Sequence, residues 1–181
     1  MSSKIGVQNI AHTNGTVAAT VSSGGVVAFN NTIIQPALTK FFVRLGSSYN
    51  IFQNATTTVP FASELFDVGG YFNVSNYRYT PPVGTYRLFV NISINNLSAP
   101  TDRATVRIRK YDNSSSSDSV LARGDIGQGT QTEATSWGVE TFDTQTDAND
   151  YYYCTIFTDA GTRQINGDSV TSRTYFGGQQ I

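Results

Sequence analysis

The sequence predicts an all-β fold, a β-sandwich, and three features carry that reading. From Tyr86 to Ile94, the apolar Tyr86, Leu88, Val90, Ile92 and Ile94 alternate with Arg87, Phe89, Asn91 and Ser93. That is the period-2 pattern of a long strand with one buried face. Gly69-Gly70 before it and Pro81-Pro82 with Gly84 at its start supply turn and ladder-breaking chemistry. A second run sets Ala104, Val106, Ile108 and Lys110 on one face, and Thr105, Arg107, Arg109 and Tyr111 on the other.

The bulk composition narrows the function classes. A chain of 181 residues holds one domain with a full core and a short appendage. A net charge of −1 with 14% charged residues offers no basic field for nucleic acid or anionic lipid. No apolar run approaches the roughly 20 residues needed to cross a bilayer. Ser, Thr and Asn make up about three residues in ten, which suits a β-rich surface kept soluble with few charges. The first eight residues lack the apolar core of a signal peptide, and the lone Cys154 has no partner for a disulfide. Both lead to the expectation of synthesis in a reducing cytoplasm.

Taken in order, residues 1–35 stand apart as an N-terminal arm. They carry no Asp, Glu, Lys or Arg after Lys4 and are punctuated by glycine. Such a segment has too little bulk for a core of its own. Val17, Val21, Val26, Val27, Ile33 and Ile34 are nevertheless β-formers rather than linker residues. They point to an arm that orders against a partner by strand addition or by threading a groove, the other reading being a flexible tail. Pro36 opens the second region, residues 36–181. Phe41, Val43 and Leu45 alternate with Phe42 and Arg44 as its first strand. Tyr77 and Tyr79, two apart, read as sharing a strand face.

The arginine-rich run from Ala104 to Tyr111 reads as an exposed or edge strand guarded by charge. Asp112, Asn113 and the four serines that follow read as a turn and loop. Asp112 and Asp118 there match no recognised calcium loop. Arg123-Gly124-Asp125 resembles an integrin-binding triplet, although Gly-Asp is also ordinary turn chemistry. Trp137, Val139 and Thr141 alternate with Gly138 and Glu140, and Tyr152, Cys154 and Ile156 form the apolar face of a further strand. The stretch around Phe142 leaves its strand register open.

Phe66-Asp67, Gly69-Gly70-Tyr71, Tyr79-Thr80-Pro81 and Val83-Gly84-Thr85-Tyr86, followed by the long alternating strand, resemble the globular head of complement component 1q. Asn149-Asp150 before a strand and the closing Thr174-Tyr175-Phe176-Gly177 match further points of that family in the same order. The resemblance covers about residues 36–181. It implies the trimeric jelly roll that this family shares with tumour necrosis factor: a jelly-roll β-sandwich of two antiparallel sheets, here with an extended N-terminal arm. It also implies that one sheet faces a three-fold axis. Parity within the matching strands puts Phe42 and Phe176 on that outward side, together with Arg78 and Trp137.

Catalytic chemistry finds little support in the residues. His12, the sole histidine, falls in the arm, which argues against a histidine-rich zinc site and against a Ser-His-acid triad. No glycine-rich phosphate loop follows a strand and opens a helix. The expectation is a non-enzymatic virion structural protein without cofactor or metal. It would be a trimeric capsid decoration or cement protein of a phage, on the virion surface, gripping the major capsid protein or other virion subunits through its arm. The alternative is the receptor- or glycan-binding tip of a phage fibre or a cell-surface adhesin. For that role Tyr151-Tyr152-Tyr153 and the loop from Asp112 to Asp118 would supply contacts to a host glycan or receptor.

Overall fold

In the computed structural model, residues 9–11, 17–22, 27–29, 38–95, 97, 102–127, 134–168, 170–171 and 173–181 are described. The chain divides into two compact units, Met1–Ala37 and Leu38–Ile181. In the first, β1 (Asn9–Ala11), β2 (Val17–Val21) and β3 (Val27–Phe29) pair antiparallel in that order. The small β-forming residues here build a ladder among themselves, so the backbone is more than the extended arm expected. Val17 and Val21 bound β2 and Val27 opens β3. Val26, Ile33, Ile34 and His12 lie outside the described residues.

The second unit is a jelly roll of two antiparallel sheets. Its early strands are β4 (Lys40–Arg44), β5 (Tyr49–Ile51), β6 (Thr56–Thr58), β7 (Ser63–Val68), β8 (Phe72–Asn73) and β9 (Arg78–Tyr79). The long strands β10 (Gly84–Asn95), β11 (Arg103–Asp112), β12 (Ser117–Gly127) and β13 (Thr135–Gln145) follow. The unit closes with β14 (Tyr151–Thr158), β15 (Arg163–Ile165) and β16 (Tyr175–Gln180).

Strand β10 is the hub of the first sheet. Along one edge it pairs with β13 from Gly84↔Gln145 to Ile94↔Thr135, which settles the register around Phe142 as continuous strand. Along the other edge it pairs with β16 and then β15. Beyond β16 come β4 and β7, and beyond β15 comes β5. The second sheet runs β12-β11-β14-β9-β8, with β6 also paired to β14. The arginine-rich β11 is therefore an interior strand, with β12 outside it.

The alternation read in the sequence fills the space between the sheets. Tyr86, Leu88, Val90, Ile92 and Ile94 of β10 meet Ala104, Val106 and Ile108 of β11, and Tyr152, Cys154 and Ile156 of β14, in one buried core. Phe41 stacks on Tyr79 at 4.0 Å and meets the edge of Phe176 at 4.9 Å. Lys110 also points inward, because parity leaves it no choice. Its ammonium is held by Asp143 at 3.1 Å and Asp150 at 3.5 Å, the acceptors a half-buried cation needs. Tyr77 departs from expectation: it sits in a turn with φ of 62° rather than on a strand face beside Tyr79.

Phe176 also departs from expectation. Its backbone pairs with Val43 and Val90, both inward, so its ring is 0% exposed among Phe41, Phe61 and Phe72. It is a core residue, not an interface residue. Phe176→Ala should lower the unfolding free energy by about 3–5 kcal/mol, as deleting a fully buried phenyl ring does. Urea denaturation of the wild type and the variant measures this, and a change near zero would put the ring outside the core.

Candidate functional site

The outward face of the first sheet carries an aromatic cluster built on one small residue. On β16 the outward positions are Tyr175, Gly177 and Gln179. On β4 they are Lys40, Phe42 and Arg44, and on β10 they include Arg87, Phe89 and Asn91. Gly177 lies between Phe42 and Phe89 in register. A Cβ there would come within 2.6 Å of the Phe89 ring. With hydrogen in its place, the Phe89 ring can lie across the strand. Phe42 then stands 5.0 Å from Tyr175, 6.1 Å from Phe66 and 6.3 Å from Phe89. Tyr175 and Phe89 meet edge to face at 6.3 Å.

These rings remain open to solvent in the isolated chain. Phe66 is 45% exposed, and Phe42, Phe89 and Tyr175 are half-buried. Phe142 on neighbouring β13 is 61% exposed. Beside the cluster runs a groove of about 550 Å³, whose lining includes Arg87, Phe89, Glu140, Tyr175 and Gln179. Arg87 donates to both oxygens of Glu140, at 2.7 and 2.8 Å, across the β10–β13 ladder. That hydrogen bonding holds the Glu140 carboxyl below its usual range and the Arg87 guanidinium above its own. The face thus combines exposed rings with a matched ion pair.

Of the four residues predicted to share an interface, only Phe42 is on this face. Phe176 is in the core. Trp137 pairs with the inward Ile92 and lies over Gly124 of β12, 48% exposed at the side of the sandwich. Arg78 belongs to the second sheet, its guanidinium 4.1 Å from the centre of the Tyr151 ring. Phe66, Phe89 and Tyr175 were not singled out from the sequence. Phe89 had a legible signal, an aromatic ring at an otherwise polar position of a strictly alternating strand.

The outer side of the second sheet looks different. Tyr111 and Tyr151 stack across the ladder at 4.9 Å, and Arg78 covers the side of Tyr151 toward β9. Their ring faces are turned to one another, so they form cross-strand packing rather than a flat stacking platform. Burial, followed by a hydrogen bond donated to Asp118, pushes Tyr153 up to about 12. Burial opposes ionisation of Asp118, yet Arg109 and Tyr153 hold it below the carboxylate norm. Asp112 is lowered to about 2 by bonds from Ser114 and Ser115 of its own turn. Both acids once considered for calcium are therefore occupied internally. The Arg123-Gly124-Asp125 triplet is regular strand rather than a turn, with Arg123 paired to Asp125 at 3.0 Å.

Two antiparallel sheets in this strand order form a jelly roll. Comparison with solved structures gives the same fold. The Eiger TNF of S. frugiperda matches with a TM-score of 0.59 at 10% identity, covering 80% of this chain and 92% of that one. The globular domain of zebrafish complement 1qA protein matches at 0.59 and 15% identity, covering 79% and 97%. Murine APRIL, in its pH 5.0 crystal structure, matches at 0.58 and 12% identity, covering 80% and 99%. No known family's sequence profile matches the chain, and no curated protein sequence matches it.

Two outcomes follow from this geometry. Gly177→Ala should lift Phe89 off the sheet and cost about 1–3 kcal/mol, as overpacking does, while the head stays folded. Thermal unfolding and the aromatic ring-current shifts of Phe42 and Tyr175 report it; unchanged shifts would contradict the packing described. The second concerns pH. Tyr79, Tyr152 and Tyr153 are all held protonated above the ordinary phenol value of 10, burial being the largest cause. The unfolded chain ionises first as pH rises, so stability is complete below about pH 10 and falls between about pH 10 and 12. Denaturant midpoints across that window check the sign, and a midpoint that rises would refute it.

Proposed function

We propose that this chain is a non-enzymatic structural protein that works as a homotrimer on the surface of a virus particle, as a capsid decoration or cement protein of a phage. The observation that carries the assembly reading is the aromatic face of Phe42, Phe66, Phe89 and Tyr175. A cluster of exposed rings on a head with a complete core is a surface that calls for a partner. A closed ring of identical heads covers it without leaving an open end. The number three comes from the resemblance to complement 1q heads.

The non-catalytic reading is supported by how the polar groups are used. Arg87, Arg109, Arg123 and Arg163 are matched to carboxylates within the fold. Cys154 is buried, and burial pushes its thiol well above the ordinary range, away from a nucleophile's needs. The particle reading draws on the low charge, the abundance of Ser, Thr and Asn, and an N-terminal unit of short paired strands that would grip the coat protein. Composition favours neither nucleic acid nor a bilayer as partner.

Sedimentation of the full-length protein should give a trimer. Phe42→Glu together with Phe89→Glu should give a folded monomer whose melting temperature stays close to that of the dissociated wild-type head. A wild type that is monomeric at all accessible concentrations would contradict the assembly. Antibody raised against the head should decorate intact particles of the virus encoding the chain, and labelling confined to free protein would contradict the surface position.

A further inference from the structure

The outer side of the second sheet carries a cluster of polar and charged side chains, away from the aromatic face. There β11 presents Thr105, Arg107, Arg109 and Tyr111, and β12 adds Arg123 and Asp125. Two of these guanidinium groups are occupied. Arg109 is bonded to Asp118 at 2.7 Å and Arg123 to Asp125 at 3.0 Å. Arg107 stands between them, half-buried, with its guanidinium 5.8 Å from the Phe157 ring centre. It has no hydrogen bond or ion pair among the described residues.

Directly across the ladder from Arg107 is Thr155, flanked by the outward Tyr153 and Phe157. Thr155 is 3% exposed, and its Oγ1 has no hydrogen-bond partner. A half-buried cation without an acceptor and a buried hydroxyl without a partner, side by side, are both exceptions to the rule that such groups are satisfied. Burial, with Arg123 and Arg109 nearby, pushes the Arg107 guanidinium below its ordinary range. One oxyanion would answer both groups, accepting the N–H fork of Arg107 and, once the side chains covering it move aside, the Thr155 hydroxyl.

We propose that Arg107 and Thr155 form the anchor of a binding site for the carboxylate or sulfate group of an acidic saccharide. The surroundings select this ligand class. Asp118 and Asp125 neutralise Arg109 and Arg123, so the anchor offers one guanidinium for a single acid group rather than the several cations that a phosphate chain needs. The same carboxylates accept hydrogen bonds, which sugar hydroxyls can donate. Thr56 and Thr58, both exposed on β6 and paired to Phe157 and Thr155, extend the hydroxyl surface. Tyr153 and Phe157, outward on β14, border the anchor with ring surface.

The test is an NMR titration of isotope-labelled full-length protein with sialyllactose, sulfated lactose, neutral lactose and inorganic sulfate. Saturable shifts of the Arg107 side chain and the Thr155 amide are expected with sialyllactose or sulfated lactose, and whichever responds identifies the acid group. Lactose should leave both unmoved. Arg107→Gln should weaken binding at least about tenfold, as loss of a charged hydrogen-bond donor does. Thr155→Val, nearly isosteric and free of the stranded hydroxyl, should weaken binding while leaving the fold intact. Silence with both acidic probes, an equal response to lactose, or undiminished binding in both variants would overturn the site. Inorganic sulfate binding as tightly as the sugars would overturn the saccharide assignment.

Discussion

Strand β16 carries Gly177 and Gly178 in succession, and the rest of the head depends on what those two residues leave out. Because neighbouring positions of a strand face opposite sides, one glycine opens the inside and the other the outside. A Cβ at Gly178 would come within 2.7 Å of Leu88 and 2.8 Å of Phe41. A Cβ at Gly177 would come within 2.6 Å of Phe89. The strand between β4 and β10 is thus thinned on both sides. Phe41 can reach Tyr79 and Phe176 in the core, while Phe89 settles against the outer surface beside Phe42 and Tyr175. Core closure and the outer aromatic cluster share a single backbone constraint.

That coupling explains why the two sheets differ in use. The first sheet spends aromatic rings on both of its sides, so its outer face cannot be satisfied by water alone. The second places arginines, tyrosines and threonines outward and pairs most of them internally, leaving Arg107 and Thr155 as the exceptions. The aromatic cluster and the unpaired Arg107 thereby lie on different sheets of one sandwich.

Much of the fold was legible from periodicity, because β4, β10, β11 and β14 each bury one strict alternation. The outward face was less so, and the reason is parity. Tyr175 and Phe176 are adjacent aromatics, and nothing local says which ring faces in; pairing with Val43 and Val90 decides it. Trp137 likewise takes its direction from its partner Ile92. Arg78 could not be assigned to a sheet until β9 was placed beside β14. Turn chemistry misled at Gly124-Asp125, where a ladder with β11 on one side overrides the local preference, and two-residue spacing misled at Tyr77, where a bulky residue adopts positive φ in a turn. Phe66 faces outward beside Phe42 because of a bulge in the β4–β7 pairing, a feature no alternation rule anticipates.

In the assembly we propose, Phe42, Phe66, Phe89 and Tyr175 are covered by copies of the same chain. Hydroxyl-radical footprinting of the full-length protein across a dilution series addresses it residue by residue, with the half-exposed Trp137 as an internal reference outside the cluster. Oxidation of the four rings should fall together as concentration rises, while Trp137 keeps a constant rate. Equal oxidation of the four rings at every concentration would show that no second copy covers this face.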